Sequence, residues 1–255
     1  MMKDIDILRE YWLSEQACAN IRGWDFSHID GRYREYPLPW SYGDIVKKYL
    51  TPTSRLLDID TGGGEFLDSL GHPQRYTYAT EGYAPNVRLC RNKYADTDLH
   101  FFEMNDYRHM PFEDESFDTV INRHGTYDAS EIYRVLKKGG IFITQQVGEN
   151  NDRELVELLL PDCEKRFCGH NLENQARIFE ECGFEILEKN EAFVPIEFYD
   201  TGALVWFAKI IEWEFVGFSV ERCFDALLSV EKMIEKEGKA VCSAHRFYLV
   251  AEKKS

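Results

Sequence analysis

Short apolar runs alternate with stretches of helical apolar spacing from about Thr53 to Val147, the pattern of a parallel sheet built from βαβ units. Strands are expected at SRLLDID (54–60), YTYATEG (76–82), LHFFEMN (99–105), FDTVINRH (117–124) and IFITQQV (141–147). Between them, a short helix over Glu65–Leu70 is stopped by Gly71, and Pro85 opens another at a first-turn position, where its missing N–H costs nothing. Asp128 and Glu131 form a D-x-x-E capping box for a helix over 129–138 that ends at Gly139-Gly140. Asn171 caps a helix over 172–182, which Gly183 terminates before a sixth strand, FEILEKNEA. Phe224, Leu227, Leu228 and Ile234 share one face of a later helix, and HRFYLVAEKK supplies the last strand. The expected architecture is a doubly wound α/β sheet in one domain. A helical or lid segment covers 1–50, the core 51–194, a helical insertion 195–240 and the last strand 241–255. Ligands of such sheets bind at the carboxyl ends of the strands.

Composition narrows the partners. Among 255 residues, 45 are acidic and 30 basic, a net charge of −15, and the Lys pairs at 47–48, 137–138 and 253–254 make no basic block. A nucleic-acid partner is disfavoured, because gripping phosphates needs a basic face. The N-terminus lacks the apolar core of a signal peptide. ALVWFAKIIEWEFVGFSV (203–220) is broken by Lys209, Glu212 and Glu214 and reads as an amphipathic helix, not a membrane span. Seven cysteines without a leader point to reduced thiols and a cytoplasmic protein. Cys163, Cys168 and His170 lack the C-x2-C knuckle of structural zinc sites, so no metal is expected.

Candidate chemistry begins at LLDIDTGGGEFL (56–67). Gly62, Gly63 and Gly64 allow a tight turn and close approach to a ligand, and the following helix aims free N–H groups at it. A dinucleotide fingerprint would need Gly or Ala at Leu67, and no Walker-type G-K-[ST] is present. The run Asp58-Ile59-Asp60-Thr61-Gly62-Gly63-Gly64 resembles the D/E-x-G-x-G-x-G motif of class I S-adenosylmethionine-dependent methyltransferases, with Asp60 in place of the first glycine. NDYRHMPFEDESFDTVINRH (105–124) resembles that family's D-A-x-x-L-P-F-x-D-x-S-F-D segment. EIYRVLKKGGIFI resembles its E-x-x-R-V-L-K-P-G-G passage, with Lys138 replacing the proline. The match spans roughly residues 40–150 and is similar to ubiquinone/menaquinone-biosynthesis-type small-molecule enzymes.

The resemblance implies a Rossmann-like seven-stranded sheet with helices on both faces, S-adenosyl-L-methionine as cofactor and methyl transfer to a small acceptor. It implies that Glu81, beside Gly82, holds both ribose hydroxyls, that Asp106 accepts from the adenine amino group, and that the Tyr107 backbone lies along the ring. Asn122 and Arg123, ending the fourth strand, complete the cofactor set with Asp58, Asp60, Gly62 and Gly64. Two readings of Asp60 stand open: with Asp58 it supplies carboxylate to the donor's ammonium group, or the turn simply tolerates it.

Methyl transfer chiefly requires alignment of donor and nucleophile; a base is needed only for a nucleophile with a proton of high pKa. His124 is the candidate base, oriented by Tyr127 or Asp128; the alternative is a hydrogen-bonded structural histidine or one that merely covers the cofactor. Gln145 and Gln146 either bond an acceptor or cap the sheet edge. Trp24, Phe26, Tyr33, Tyr36 and Trp40, with the aromatics after Pro195, either line a pocket for a flat or apolar acceptor or fill a secondary core. Arg32 or Arg34 could reach the donor's carboxylate. Besides a small-molecule methyltransferase, two alternatives remain: an RNA or protein methyltransferase, and a cofactor-binding module without transfer activity.

Overall fold

The computed structural model describes residues 4–20 and 26–254; Trp24 lies outside them. In chain order the elements are α1 (Ile5–Cys18), β1 (Tyr33–Glu35), α2 (Tyr42–Tyr49), β2 (Leu56–Ile59), α3 (Glu65–Ser69), β3 (Thr77–Glu81), α4 (Ala84–Tyr94), β4 (His100–Glu103) and β5 (Phe117–Arg123). There follow α5 (Ala129–Val135), β6 (Leu136–Val147), α6 (Arg153–Leu159), α7 (Leu172–Glu181), β7 (Phe184–Phe198), α8 (Thr201–Ile210), α9 (Phe224–Glu237) and β8 (Ala240–Lys253). No helix among the described residues is long and apolar enough to cross a membrane.

The chain divides into two compact units. One comprises Pro39–Gly148, Gly169–Glu191 and Arg246–Ser255. In it β2 pairs in parallel with β3 and β5, β3 with β4, and β5 with β6, while β8 runs antiparallel to β6. The complete strand order is β1-β7-β8-β6-β5-β2-β3-β4. From β2 the chain steps outward through β3 and β4, then returns to lay β5 and β6 on the other side. The order therefore reverses between β2 and β5, the crevice where such sheets bind ligands. Leu57, Val120, Phe142 and Leu249 belong to one buried cluster of this unit, and Leu56, Ala79, Ile121 and Ile143 to another.

The other unit comprises Met1–Leu38, Glu149–Cys168 and Ala192–His245. Its core gathers Trp12, Ile29, Val156, Phe198, Leu204, Trp206, Phe215 and Leu227.

The α/β architecture agrees with the sequence, and several boundaries differ from it. The sheet has eight strands, not seven, because Tyr33–Glu35 pairs antiparallel with Ile196–Phe198. Such a three-residue edge strand is too short to show a period. The helix after Asp128 ends at Val135, and the chain is extended from Leu136. Phe117 already pairs with Leu136, and a register shift before Thr119↔Ile141 takes up extra residues of the stretch that contains both glycines. Asp128 does cap this helix by accepting from Glu131 N (2.9 Å). The Glu131 carboxylate, however, accepts from Met110 N and Arg134 instead of reaching back. The expected amphipathic helix from Ala203 is α8, and nine of its ten residues are buried, Lys209 being the exception. Glu212 and Glu214, which lent the stretch its polar face, lie beyond its end.

Candidate functional site

The glycine turn leaves the carboxyl end of β2 and enters α3 through Gly64, with φ +65° at Gly62 and +78° at Gly64. Its carbonyls are taken from behind by one face of α4. Cys90 Sγ donates to Gly62 O (3.2 Å), Lys93 Nζ to Gly63 O (3.0 Å) and Tyr94 Oη to Gly64 O (3.3 Å). Positions 90, 93 and 94 share a helix face by their spacing. The sequence contained that spacing, but nothing in it said that the partners were carbonyls. A Cβ added at Gly62 would project into open space, so the turn keeps an unfilled side where a ligand can approach its backbone.

Glu81 ends β3 beside this turn and is buried. Gly62 N donates to its Oε2 (2.8 Å), and Gly82 N and Tyr83 N to its Oε1 (2.8 Å each). Three backbone amides thus fix this carboxyl group at the strand ends. Asn86 Nδ2 makes a longer fourth contact at 3.3 Å. Gly82 has no room for a side chain, since a Cβ there would lie 2.7 Å from Met104 O. Asp58, inside β2, is 3% exposed. Burial first, then the charges of Asp60 and Glu81, push its carboxyl up to about 7, against the opposing Thr61 hydroxyl and Arg123.

Asp60 occupies left-handed backbone, φ +59°, the region glycine favours and aspartate tolerates. Its carboxylate accepts from the Tyr107 hydroxyl and from Thr126 N (3.1 Å). It thereby ties the turn to the segments after β4 and β5. Burial raises its pKa, and those two donors oppose the rise. Asp106 is exposed and paired within its own loop, with Arg108 Nε at 3.0 Å and His109 Nδ1 at 3.4 Å. The Arg108 hydrogen bonds hold its carboxyl down at about 2.

At the end of β5, Asn122 is fully buried and bonded at both ends of its amide. It donates to Ile59 O (3.0 Å) and accepts from Gln146 Nε2 (2.6 Å). Arg123 is exposed, its guanidinium 5.2 Å from the Phe66 ring centre. His124 also sits in left-handed backbone, φ +60°. Two non-glycine residues with positive φ therefore follow adjacent parallel strands, one on each side of the crevice where the order reverses. Such outliers persist where the surrounding structure fixes them and cluster at functional sites.

A chain of donors settles the protonation of His124. An indole N–H only donates, so the Trp40 Nε1 to Gln145 Oε1 bond (2.9 Å) orients the Gln145 amide. Gln145 Nε2 then donates to His124 Nε2 (3.0 Å), which must be the unprotonated nitrogen, leaving the proton on Nδ1. Desolvation of the ring, then the charges of Arg246 and Arg123, lower its pKa and keep it neutral. The residue as a whole is nonetheless exposed to solvent. Neither expected orienting group serves His124. Tyr127 Oη donates to Gln175 (2.9 Å) and Asp128 caps α5; Gln145 takes that part. Gln146 is likewise committed internally, to Asn122 and Gly125 O.

In the other unit, Phe26, Tyr33, Phe198, Trp206 and Phe207 pack ring against ring within its core, as the secondary-core reading expects. Arg32 does not stand free for a donor carboxylate. Its Nε and Nη2 bond Asp200 at 2.8 Å each, and Nη2 lies 2.8 Å from Glu15. Arg34 lies over the Tyr36 ring, 4.2 Å from its centre.

Residues 57–144 match the family model described as Methyltransferase domain. Over 98 residues the chain is 32% identical to the phthiotriol/phenolphthiotriol dimycocerosates methyltransferase of Mycobacterium tuberculosis, a match covering 36% of each protein. Over 104 residues it is 32% identical to the sterol 24-C-methyltransferase of Schizosaccharomyces pombe, covering 36% of this chain and 28% of that one. The chain thus spans about a third of the length of these curated relatives. A solved structure from Bacillus halodurans C-125 superposes with TM-score 0.59 at 19% identity, covering 84% of this chain and 99% of that chain. Residues 57–144 thus match a methyltransferase domain, and the chain shares the fold of that solved structure.

Proposed function

We propose that this protein transfers a methyl group from S-adenosyl-L-methionine to an apolar small molecule. The observation that carries the reading is the pair of left-handed residues, Asp60 and His124, flanking the crevice beside the glycine turn and the amide-fixed Glu81. The residues fit the cofactor in kind. Glu81 would hold the ribose hydroxyls, with the long Asn86 contact giving way to one of them. Gly62 and Gly64 would admit the methionine portion, Asp58 and Asp60 would face its ammonium group, and Asp106 and Tyr107 would border the adenine. When bound, the cofactor supplies a methyl group on a sulfonium, ready for in-line displacement. The acceptor class is supported by the two relatives, whose names denote lipid and sterol methyltransferases.

His124 serves this reaction as a hydrogen-bond donor. Its Nε2 lone pair is occupied by Gln145, so the edge that remains is Nδ1–H, which suits holding an acceptor oxygen in line rather than removing its proton. Calorimetric titration with S-adenosylmethionine and its demethylated product tests the cofactor reading, with micromolar binding of both expected. Absence of binding to either would defeat it.

A second reading, a module that holds the cofactor without transferring, is favoured by Asp60 being already engaged by Tyr107 and Thr126. Binding of both compounds, with no labelled methyl passed to any of a panel of lipid and sterol alcohols, would select it. Asp60→Asn separates the two roles of that residue. The amide can still accept from Thr126 and meet the Tyr107 hydroxyl, but it carries no charge. A roughly tenfold loss of donor affinity, about 1.4 kcal/mol, is expected if the charge faces the ammonium; an unchanged affinity assigns Asp60 to positioning alone.

A further inference from the structure

Within the unit that contains α1, three side chains of different ligand chemistry converge away from the glycine turn. Glu15 and Cys18 are three apart in the last turn of α1 and so share a face. The short 3-10 turn Ser27–Ile29 brings His28 to them. His28 Nε2 lies 2.7 Å from Glu15 Oε2 and 3.7 Å from Cys18 Sγ, and Cys18 Sγ lies 3.9 Å from Glu15 Oε2. They form the one group among the described residues whose ligand atoms gather this closely. We propose that Glu15, Cys18 and His28 are a binding site for a divalent cation of the zinc type.

The geometry is near what such an ion needs. With bonds of about 2.3 Å to sulfur and about 2.0–2.2 Å to nitrogen and oxygen, tetrahedral ligand atoms sit roughly 3.3–3.6 Å apart. The nitrogen–oxygen pair has to widen and the two sulfur distances have to close, each by roughly 0.6 Å or less. Sulfur, imidazole and one carboxylate together suit zinc better than magnesium or calcium, which take oxygen. Three protein ligands leave a fourth position to solvent.

The surroundings hold the ligands as outer partners of metal sites do. Glu15 is 6% exposed, and its second oxygen is held by Arg32 at 2.8 Å. Arg32 is itself fixed by both oxygens of Asp200. The His28 ring stacks on Trp206, with centres 5.3 Å apart and planes at 23°. Cys18 and His28 are exposed, which leaves a path of entry. The charges also balance. Glu15 and Asp200 against Arg32 leave one negative charge, the thiolate adds a second as its proton departs to solvent, and a divalent cation cancels both. The inference is independent of methyl transfer.

The test uses the full chain, stripped with chelator and desalted. Zn²⁺ is titrated by calorimetry, and Co²⁺ by absorption, where a cobalt–thiolate charge-transfer band reports sulfur ligation. One ion per chain is expected. Cys18→Ser should abolish the cobalt–thiolate band, and both it and His28→Gln should weaken Zn²⁺ at least about tenfold. Cys168→Ser, at another exposed thiol, should change neither. Circular dichroism and a melting curve in chelator establish that each variant is folded. His28→Ala is the second variant if His28→Gln is not. A cobalt–thiolate band that survives Cys18→Ser, or Zn²⁺ affinity equal in the parent and in folded Cys18→Ser and His28 variants, would overturn the site.

Discussion

Asp60 and His124 hold the same unusual backbone on neighbouring strands, and each is pinned by bonds to segments distant in sequence. For His124 the consequence is a rate that ignores its titration. With its pKa lowered and its Nε2 occupied by Gln145, the imidazole stays neutral across the working range. A kcat profile from pH 5.5 to 9 is expected to show no inflection near the ordinary histidine value of about 6.5. An inflection there that vanishes in His124→Gln would restore the base role. Asp58 supplies the opposite case, a pKa raised in the folded state. Between the usual aspartate range and about 7, the folded protein holds a proton that the unfolded chain has released. This group's contribution to stability is therefore whole at low pH and declines as pH rises through that window, by at most roughly 1.4 kcal/mol per pH unit. Asp58→Asn should narrow the difference in melting temperature between pH 5 and pH 8. A gap as wide as the parent's would count against it. The sequence exposed Asp60, Glu81 and His124 as candidates because the motif spacing is local. It could not expose the Trp40–Gln145–His124 chain, whose members come together only once β5 and β6 pair, 105 positions separating the first two.

The turn between β2 and α3 shows what an element asks of its glycines. Gly64 combines left-handed φ with contact against buried Tyr94, whereas Gly71 has φ +65° and open space where a Cβ would go. Gly71→Ala is expected to cost about 1 kcal/mol from backbone strain alone and to leave cofactor binding intact. Gly64→Ala adds displacement of Tyr94 and should cost about 3 kcal/mol, with loss of cofactor binding. Denaturant unfolding and calorimetry check both, and equal costs would mean that the α4 contact matters little. Elements with strong local signals were readable in advance: Asn171 accepts from Asn174 N as its cap (3.0 Å), and Gly183 ends the helix at φ +98°. The end of α5 was not, since Lys137 and Lys138 suit a helix and only pairing with β5 draws the chain into a strand.

At the scale of the molecule, the alternating apolar runs pointed to the α/β class and the motif resemblance to the expected chemistry, but neither pointed to the division into two units. That division is invisible along the chain because one unit is assembled from three separated segments. Its core takes Leu8, Trp12 and Ile29 from the first of them. Deleting residues 1–38 should therefore unmask apolar surface and produce a loosely packed protein. Strong binding of an anilinonaphthalene dye and loss of near-ultraviolet dichroism from this unit's aromatics are the expected readouts. A truncated chain that melts as cooperatively as the parent would refute the expectation.

Trp40, described above as the residue that orients Gln145, is also a fluorophore wired to the site. Its ring lies 5.1 Å from that of Tyr248, edge to face, and its N–H is two hydrogen bonds from His124. Any acceptor that draws on His124 changes the polarity felt by that indole, so its emission should shift on binding. Subtracting the spectrum of Trp40→Phe isolates its share of the light, and unlabelled compounds could then be screened by colour alone.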